Sequence, residues 1–143
     1  LRLGDFRVLP HHQIDLARYY SEAIKLAPHD VNIIVFSDEP KSAKELFPNF
    51  EIVDEPELEC LYLMSTCSKG DIVANSTFSY WGSYFSHNKG SDFAPRANSL
   101  TATSKEVDDS IIIFPNSLGN GLPEPKDYYP PWAIKIDMNP HSE

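Results

Sequence analysis

The stretch DIVANSTFSYWGSY, Asp71 to Tyr84, decides the fold class of this chain. An apolar strand (Ile72, Val73, Ala74) runs into a small hydroxyl-rich turn (Asn75, Ser76, Thr77), and an aromatic helix start follows (Phe78, Ser79, Tyr80, Trp81). Buried strand, Ser/Thr turn and helix N-terminus is the order by which α/β proteins hold a phosphate. The free N–H groups of the first helical turn point at the anion, and the helix dipole favours negative charge there. Ser76, Thr77 and Ser79 add hydroxyl donors. The same residues also read as an ordinary Ser/Thr cap on the helix, and the pattern alone leaves both readings open.

Outward from this unit, strand and helix patterns alternate. Asp15 to Ala27 carries apolar residues at Leu16, Tyr19, Tyr20, Ala23, Ile24 and Ala27, a helical spacing that Pro28 ends. Val31 to Phe36 reads as a buried strand, Pro40 to Phe47 as a short helix and Phe50 to Val53 as a short strand. Pro56 to Ser68 reads as a helix with acids and a proline in its opening turn, facing the core with Leu58, Leu61, Tyr62 and Met64. Strand Ile72 to Asn75, helix Ser79 to His87, strand Ile111 to Phe114 and a terminal strand or arm at Ala133 to Ile136 complete the series. Such alternation predicts an α/β fold, a Rossmann-like parallel sheet with flanking helices and right-handed crossovers, with its site at the carboxyl ends of the strands. Residues 88–110 are polar, lack periodicity and read as a long loop insertion; Gly119 to Pro131 is rich in Pro and Gly and reads as surface wrapping.

The 143 residues suffice for one core and read as a single domain, 1–143. Apolar residues make up 41% and charged residues 23%, the ordinary range for a globular domain. The net charge of −9 argues against nucleic acid or anionic lipid as the main partner, so any bound pyrophosphate must be met by a few placed cations and backbone amides. No apolar run reaches the length of a membrane span. Cys60 and Cys67 lie two helical turns apart, about 10 Å, too far for a disulfide. They read as small buried residues of a reducing compartment, and no Cys/His spacing suggests zinc.

The wording of several segments resembles the α-1,2-fucosyltransferase family (glycosyltransferase family 11). LMSTCSKGDIVANSTFSYWGS, Leu63 to Ser83, is similar to that family's third motif, and other landmarks follow in order. LRLGDF (Leu1 to Phe6) resembles its Arg-rich opening, and His12 with Tyr19-Tyr20 and Ala23-Ile24 resembles H-x6-YYxxAI. VFSDE (Val35 to Glu39) resembles FSDD, and IIIFP and DYYPPWAIKI resemble its closing motifs. The resemblance covers nearly the whole chain, but only the donor-binding half of a typical member. It implies one half of a GT-B glycosyltransferase that transfers L-fucose from GDP-β-L-fucose to a glycan hydroxyl with inversion. No cofactor is implied beyond GDP-fucose as donor substrate, and no metal, since no Asp-x-Asp motif is present. The partners implied are GDP-fucose, a glycan acceptor, and a missing acceptor domain or a second copy of the chain. The shortened strand ahead of LRL reads as a truncated N-terminus. A cytoplasmic setting is expected, or the Golgi lumen for a fragment of a membrane-anchored enzyme.

The resemblance also assigns residues. Arg2 would grip the pyrophosphate bidentately and stabilise the leaving nucleoside diphosphate; without that context it reads as a surface salt bridge. Asp5 would orient Arg2 or cap the turn. His12 is the candidate general base, against a solvated or structural loop histidine. Ser37 and Asp38 end a strand, where Asp38 would accept hydrogen bonds from ribose or guanine; the alternative is capping of the helix that Pro40 opens. In the resemblance an acid at the Cys60 position would meet the guanine N–H donors; Glu59, about 100° away on the helix, remains a donor-binding candidate with base recognition altered, together with Asn75, Ser76, Thr77, Phe78 and Ser79. Two positions depart from the pattern: Leu3 stands where the family has a second arginine, and Cys60 where it often has an acid. These departures support a rival expectation, a non-catalytic sugar-nucleotide-binding or assembly module derived from such an enzyme. A third is a transferase using another donor.

Overall fold

The computed structural model describes residues 1, 3–4, 8–87, 110–120 and 122–138. After a short 3-10 turn at Pro10–His12, the chain alternates helix and strand. The elements are α1 (Leu16–Leu26), β1 (Ile34–Phe36), α2 (Pro40–Leu46), β2 (Glu51–Val53), α3 (Glu57–Thr66), β3 (Gly70–Ile72), α4 (Thr77–His87), β4 (Ile111–Pro115) and β5 (Ile134–Ile136). Every strand pair is parallel. The fold is therefore α/β, parallel strands flanked by helices, a Rossmann-like half domain. The loop predicted at 88–110 lies outside the described residues except for Ser110.

Among the described residues the parallel strands fall into two sheets: β1 pairs with β2, and β3, β4 and β5 form a second with β4 in the middle. β4 is the strand its sequence announces. Ile112, Ile113 and Phe114 are each about 1% exposed. Successive side chains on a strand point to opposite faces, so β4 supplies two cores. Ile113 joins Tyr19, Tyr20 and Ala23 of α1 on one face. Ile112 and Phe114 join Val73 on the other, roofed by Tyr80, Tyr128, Tyr129 and Trp132. The Pro-rich segment after Gly119 thus does more than wrap the surface, because its aromatic rings close the second core. Burial there pushes the Tyr128 hydroxyl pKa up to about 12.

Helix α1 starts where Asp15 accepts a hydrogen bond from Arg18 N (3.0 Å), and its buried stripe is Tyr19, Tyr20 and Ala23. The Tyr19 hydroxyl lies 2.6 Å from the Val73 carbonyl and 3.1 Å from that of Ile113, so its one proton is shared between the residue after β3 and the middle of β4. Helix α3 departs from expectation. Met64 is buried and Leu61 half-buried, as predicted, but Leu58 is 77% and Tyr62 68% exposed, while Cys60 is buried. The reason is that ELECLYLMST is apolar nearly all round, so no face is singled out by period alone. Packing selects the Cys60–Met64 stripe, and Gly82 of α4 leaves room for it: a Cβ at Gly82 would stand 2.4 Å from Met64 Cε. The strand predicted over Val31–Phe36 is shorter and less buried than expected, with Ile34 39% exposed. Both cysteines are free thiols; Cys60 is buried and Cys67 half-buried.

Gly70 opens β3 with φ of 130°, and a Cβ there would lie 1.9 Å from the Ile111 carbonyl oxygen. Backbone on both sides fixes that contact. Gly70→Ala should cost about 3 kcal/mol of unfolding free energy, measured by urea denaturation. A loss below about 0.5 kcal/mol would show that β3 enters the sheet differently.

Candidate functional site

The carboxyl ends of β1, β3 and β4 carry the loops in which the sequence places its site residues, and Leu3, Gly4, His11 and His12 contact these loops. At β1, the Asp38 carboxylate accepts hydrogen bonds from the Leu3 amide (2.9 Å) and the Gly4 amide (3.1 Å). Gly4 is suited to that approach, since a Cβ would come within 2.8 Å of Asp38 Oδ2. Ser37 Oγ accepts from Glu39 N at 3.1 Å. Neither Ser37 nor Asp38 caps α2; its N-cap is Glu39, with Pro40 opening the helix as predicted.

At β3 and β4, buried Asn75 is the tie. Its Nδ2 donates to the His12 carbonyl (2.7 Å) and to the Leu118 carbonyl (3.1 Å). One amide therefore joins the 3-10 turn, the β3–α4 turn and the loop after β4. Ser76 is the cap of α4. Its Oγ accepts from Ser79 N at 3.2 Å and lies 3.0 Å from Ser79 Oγ, while its carbonyl accepts from Tyr80 N. The capping reading of the Ser/Thr turn is thus the geometry present. The first-turn amides of Thr77 and Phe78 precede any intrahelical acceptor and stay open to solvent or a ligand. Thr77 is exposed, Phe78 half-buried and Ser79 buried.

The structure brings His12, Asn75 and Ser76 to one cluster, and places Ser37 and Asp38 at the neighbouring strand end. The His11 and His12 rings lie 4.4 Å apart. Glu59 is exposed on α3, one residue from the inward-facing Cys60, whose thiol donates to the Glu55 carbonyl at 3.3 Å. Burial pushes the Cys60 thiol pKa up. Arg2 and Asp5 lie outside the described residues. Leu3, where the family resemblance expects a second arginine, is 4% exposed and belongs to the apolar interior. Among the described residues no cluster of His, Cys, Asp or Glu is arranged to hold a metal, and no helix is long and apolar enough to cross a membrane.

Sequence reasoning missed the loop after β4. Ser117 is buried; its Oγ donates to the Gly119 carbonyl (2.7 Å) and accepts from the Gly119 amide (3.2 Å). Gly119 packs so tightly on the 3-10 turn that a Cβ would lie 1.7 Å from the His11 carbonyl oxygen. The run SLGNG directly after an apolar strand was the available signal.

A Rossmann-like half domain with its polar loops gathered at the carboxyl strand ends is an architecture of ligand-binding and group-transfer proteins, though fold alone does not assign chemistry. Comparison with known proteins narrows this. The chain is 39% identical over 99 residues to a protein described as O-antigen biosynthesis glycosyltransferase WbnK, from Escherichia coli. The match covers 59% of this chain and 32% of the relative, so the chain spans about a third of that protein's length. No protein-family profile matches the chain, and no solved structure matches it.

Asn75→Ala would strip the His12 and Leu118 carbonyls of their shared donor. The expected loss is about 2 kcal/mol, with faster amide exchange in both loops. Unchanged stability and exchange would show that the three loops hold together without this amide.

Proposed function

We propose that this chain is the donor-binding half of a glycosyltransferase, and that the transferred sugar is L-fucose carried as GDP-fucose. The similarity to a glycosyltransferase over 99 residues is the observation that carries the first part. The fucosyl part rests on the motif resemblance of Leu63–Ser83, together with the gathering of His12, Asn75 and Ser76 at the strand ends.

In this reading the open amides of Thr77 and Phe78 and the dipole of α4 meet the donor phosphates, and Arg2 supplies the cation. An acceptor hydroxyl attacks the anomeric carbon of fucose. The bond from that carbon to the phosphate oxygen breaks, and its electron pair leaves with GDP. The acceptor proton passes to a base, for which His12 is the candidate and Asp5 the residue orienting Arg2. Asn75 acts as scaffold, and Asp38 secures the Leu3–Gly4 turn, leaving Ser37 and Glu59 as peripheral donor contacts. The acceptor is a glycan hydroxyl presented by a second domain or a second chain.

Titration of GDP and GDP-fucose by calorimetry tests this. Micromolar binding is expected, weakened at least tenfold by Arg2→Ala. Absence of binding by a folded protein overturns it.

One observation favours the second reading, a sugar-nucleotide-binding or assembly module without catalysis: Leu3 is buried where an active member would present arginine. Leu3→Arg discriminates. A charge forced into that interior should lower the melting temperature by about 4 °C or more with no gain in GDP affinity. A gain in affinity or turnover at unchanged stability would instead mark a weakened enzyme.

A further inference from the structure

Asn75-Ser76-Thr77 is also an acceptor sequence for N-linked glycosylation, Asn-x-Ser/Thr without proline in the middle, and the proposed site makes no use of that property. It occurs once in the 143 residues. Such an asparagine ordinarily lies on a surface loop, within reach of the transferring enzyme. Here the fold does the opposite: Asn75 is 5% exposed, while Thr77, two residues on, is exposed.

The side-chain amide of Asn75 carries two hydrogens, and both are spent. Nδ2 donates to the His12 carbonyl at 2.7 Å and to the Leu118 carbonyl at 3.1 Å. A glycan is attached by replacing one of those hydrogens with the anomeric carbon of the first sugar, so the sugar ring must leave along one of these two directions. The 3-10 turn Pro10–His12 stands in the first, and the loop after β4 stands in the second. Neither steps aside alone, because the two are in contact: a Cβ on Gly119 would lie 1.7 Å from the His11 carbonyl oxygen. Ser117 fastens the same loop through both hydrogen bonds to Gly119. On the strand side, Val73 and Ala74 are 1% and 2% exposed. A pyranose ring has no room there, and the carbonyl that lost its hydrogen would be left inside without a donor.

We propose that Asn75 is an N-glycan acceptor in the unfolded chain alone, and that glycosylation and folding exclude one another at this residue. In the unfolded chain Asn75 Nδ2 attacks the anomeric carbon of a polyprenyl-pyrophosphate-linked oligosaccharide. The nitrogen–carbon bond forms, and the bond from that carbon to the phosphate oxygen breaks. Its electron pair leaves with the lipid pyrophosphate, and the amide proton passes to a base of the transferring enzyme. The product keeps one N–H where the fold uses two, and it carries a sugar where the fold packs backbone. Once the chain has folded, the same amide is closed to the enzyme. Whichever event comes first therefore decides the outcome: native and unglycosylated, or glycosylated and non-native. This inference stands on Asn75 and its neighbours and holds whether or not the chain binds a sugar nucleotide.

The test expresses the chain behind a cleavable secretory signal in cells that N-glycosylate, beside the same chain made in their cytosol and a secreted Thr77→Ala variant, which lacks the acceptor sequence. Part of the secreted chain should carry a glycan on Asn75, removable by endoglycosidase. In brief proteolysis the glycosylated molecules should be at least about tenfold more sensitive than the unglycosylated molecules of the same sample and the cytosolic chain. Thr77→Ala should match the unglycosylated molecules; if it folds poorly, the wild-type comparison decides. The folded cytosolic protein should accept no glycan from membranes that hold the transferase and its lipid-linked donor, whereas a peptide of residues 71–84 should accept one. Glycosylated and unglycosylated molecules of equal sensitivity overturn the proposal. So does transfer to the folded protein, and so does a secreted chain or a peptide that receives no glycan.

Discussion

The burial of β4 is the constraint on which the structure rests. Ile112, Ile113 and Phe114 are excluded from water, and each such side chain is worth about 1.5–3 kcal/mol in transfer free energy. A strand buried on both faces needs partners on both edges and cover on both sides. β3 and β5 supply the edges. Helix α1 covers one face, and α4 with the Tyr128–Trp132 segment covers the other. The parallel direction follows, because α4 must return the chain from the end of β3 across the sheet to the start of β4. Once the strands are parallel, their carboxyl ends lie at one edge, and the polar loops that follow them gather there.

That gathering explains why the polar residues of the site are occupied with one another. Loops at strand ends carry backbone groups without ladder partners, and these must be satisfied locally. The Asn75 amide satisfies two carbonyls, Ser76 satisfies an amide of α4, Asp38 satisfies two amides and Ser117 closes its own turn. Such preorganisation differs from engagement of a ligand, but it is what a ligand site requires: groups fixed before binding lose little entropy on binding. Gly4 and Gly119 contribute by lacking a side chain, since each lets the N-terminal segment approach a neighbouring loop more closely than any Cβ would permit.

What the sequence disclosed tracks where one physical term dominates. IIIFP announces β4 because a continuous apolar run between polar segments has few readings. Asp15 and Pro28 bracket α1 because capping and proline geometry are local. The β3-turn-α4 unit was legible for the same reason, as a Ser/Thr-capped helix start, although the helix begins at Thr77 rather than Ser79. Legibility failed where tertiary context decides. The ELECLYLMST helix is apolar around its circumference, so the exposure of Leu58 and Tyr62 follows from where Gly82, far along the chain, lets Met64 sit. The carbonyls that Asn75 bonds are backbone groups, invisible to any side-chain pattern. The division of the sheet was likewise hidden, since periodicity gives strands but not which of them touch. The burial of Leu3 is a fourth case: a lone leucine beside Arg2 and Gly4 has no period to place it, and only packing shows that it belongs to the interior.

Charge sets the last condition on the site. Twenty-one acids against twelve Lys and Arg give the chain a net charge of −9, and a field of that sign repels a nucleotide at long range. Any affinity for an anionic donor must therefore arise at contact, from amide dipoles of α4 and a small number of cations, acting where water is excluded. Contact terms of this kind are less screened by salt than long-range steering. They also demand placement: a first helical turn displaced by an ångström loses the amide geometry on which it depends. The network centred on Asn75 and Ser76 meets that demand for the first turn of α4: Asn75 ties the turn to two neighbouring loops, and Ser76 caps the helix.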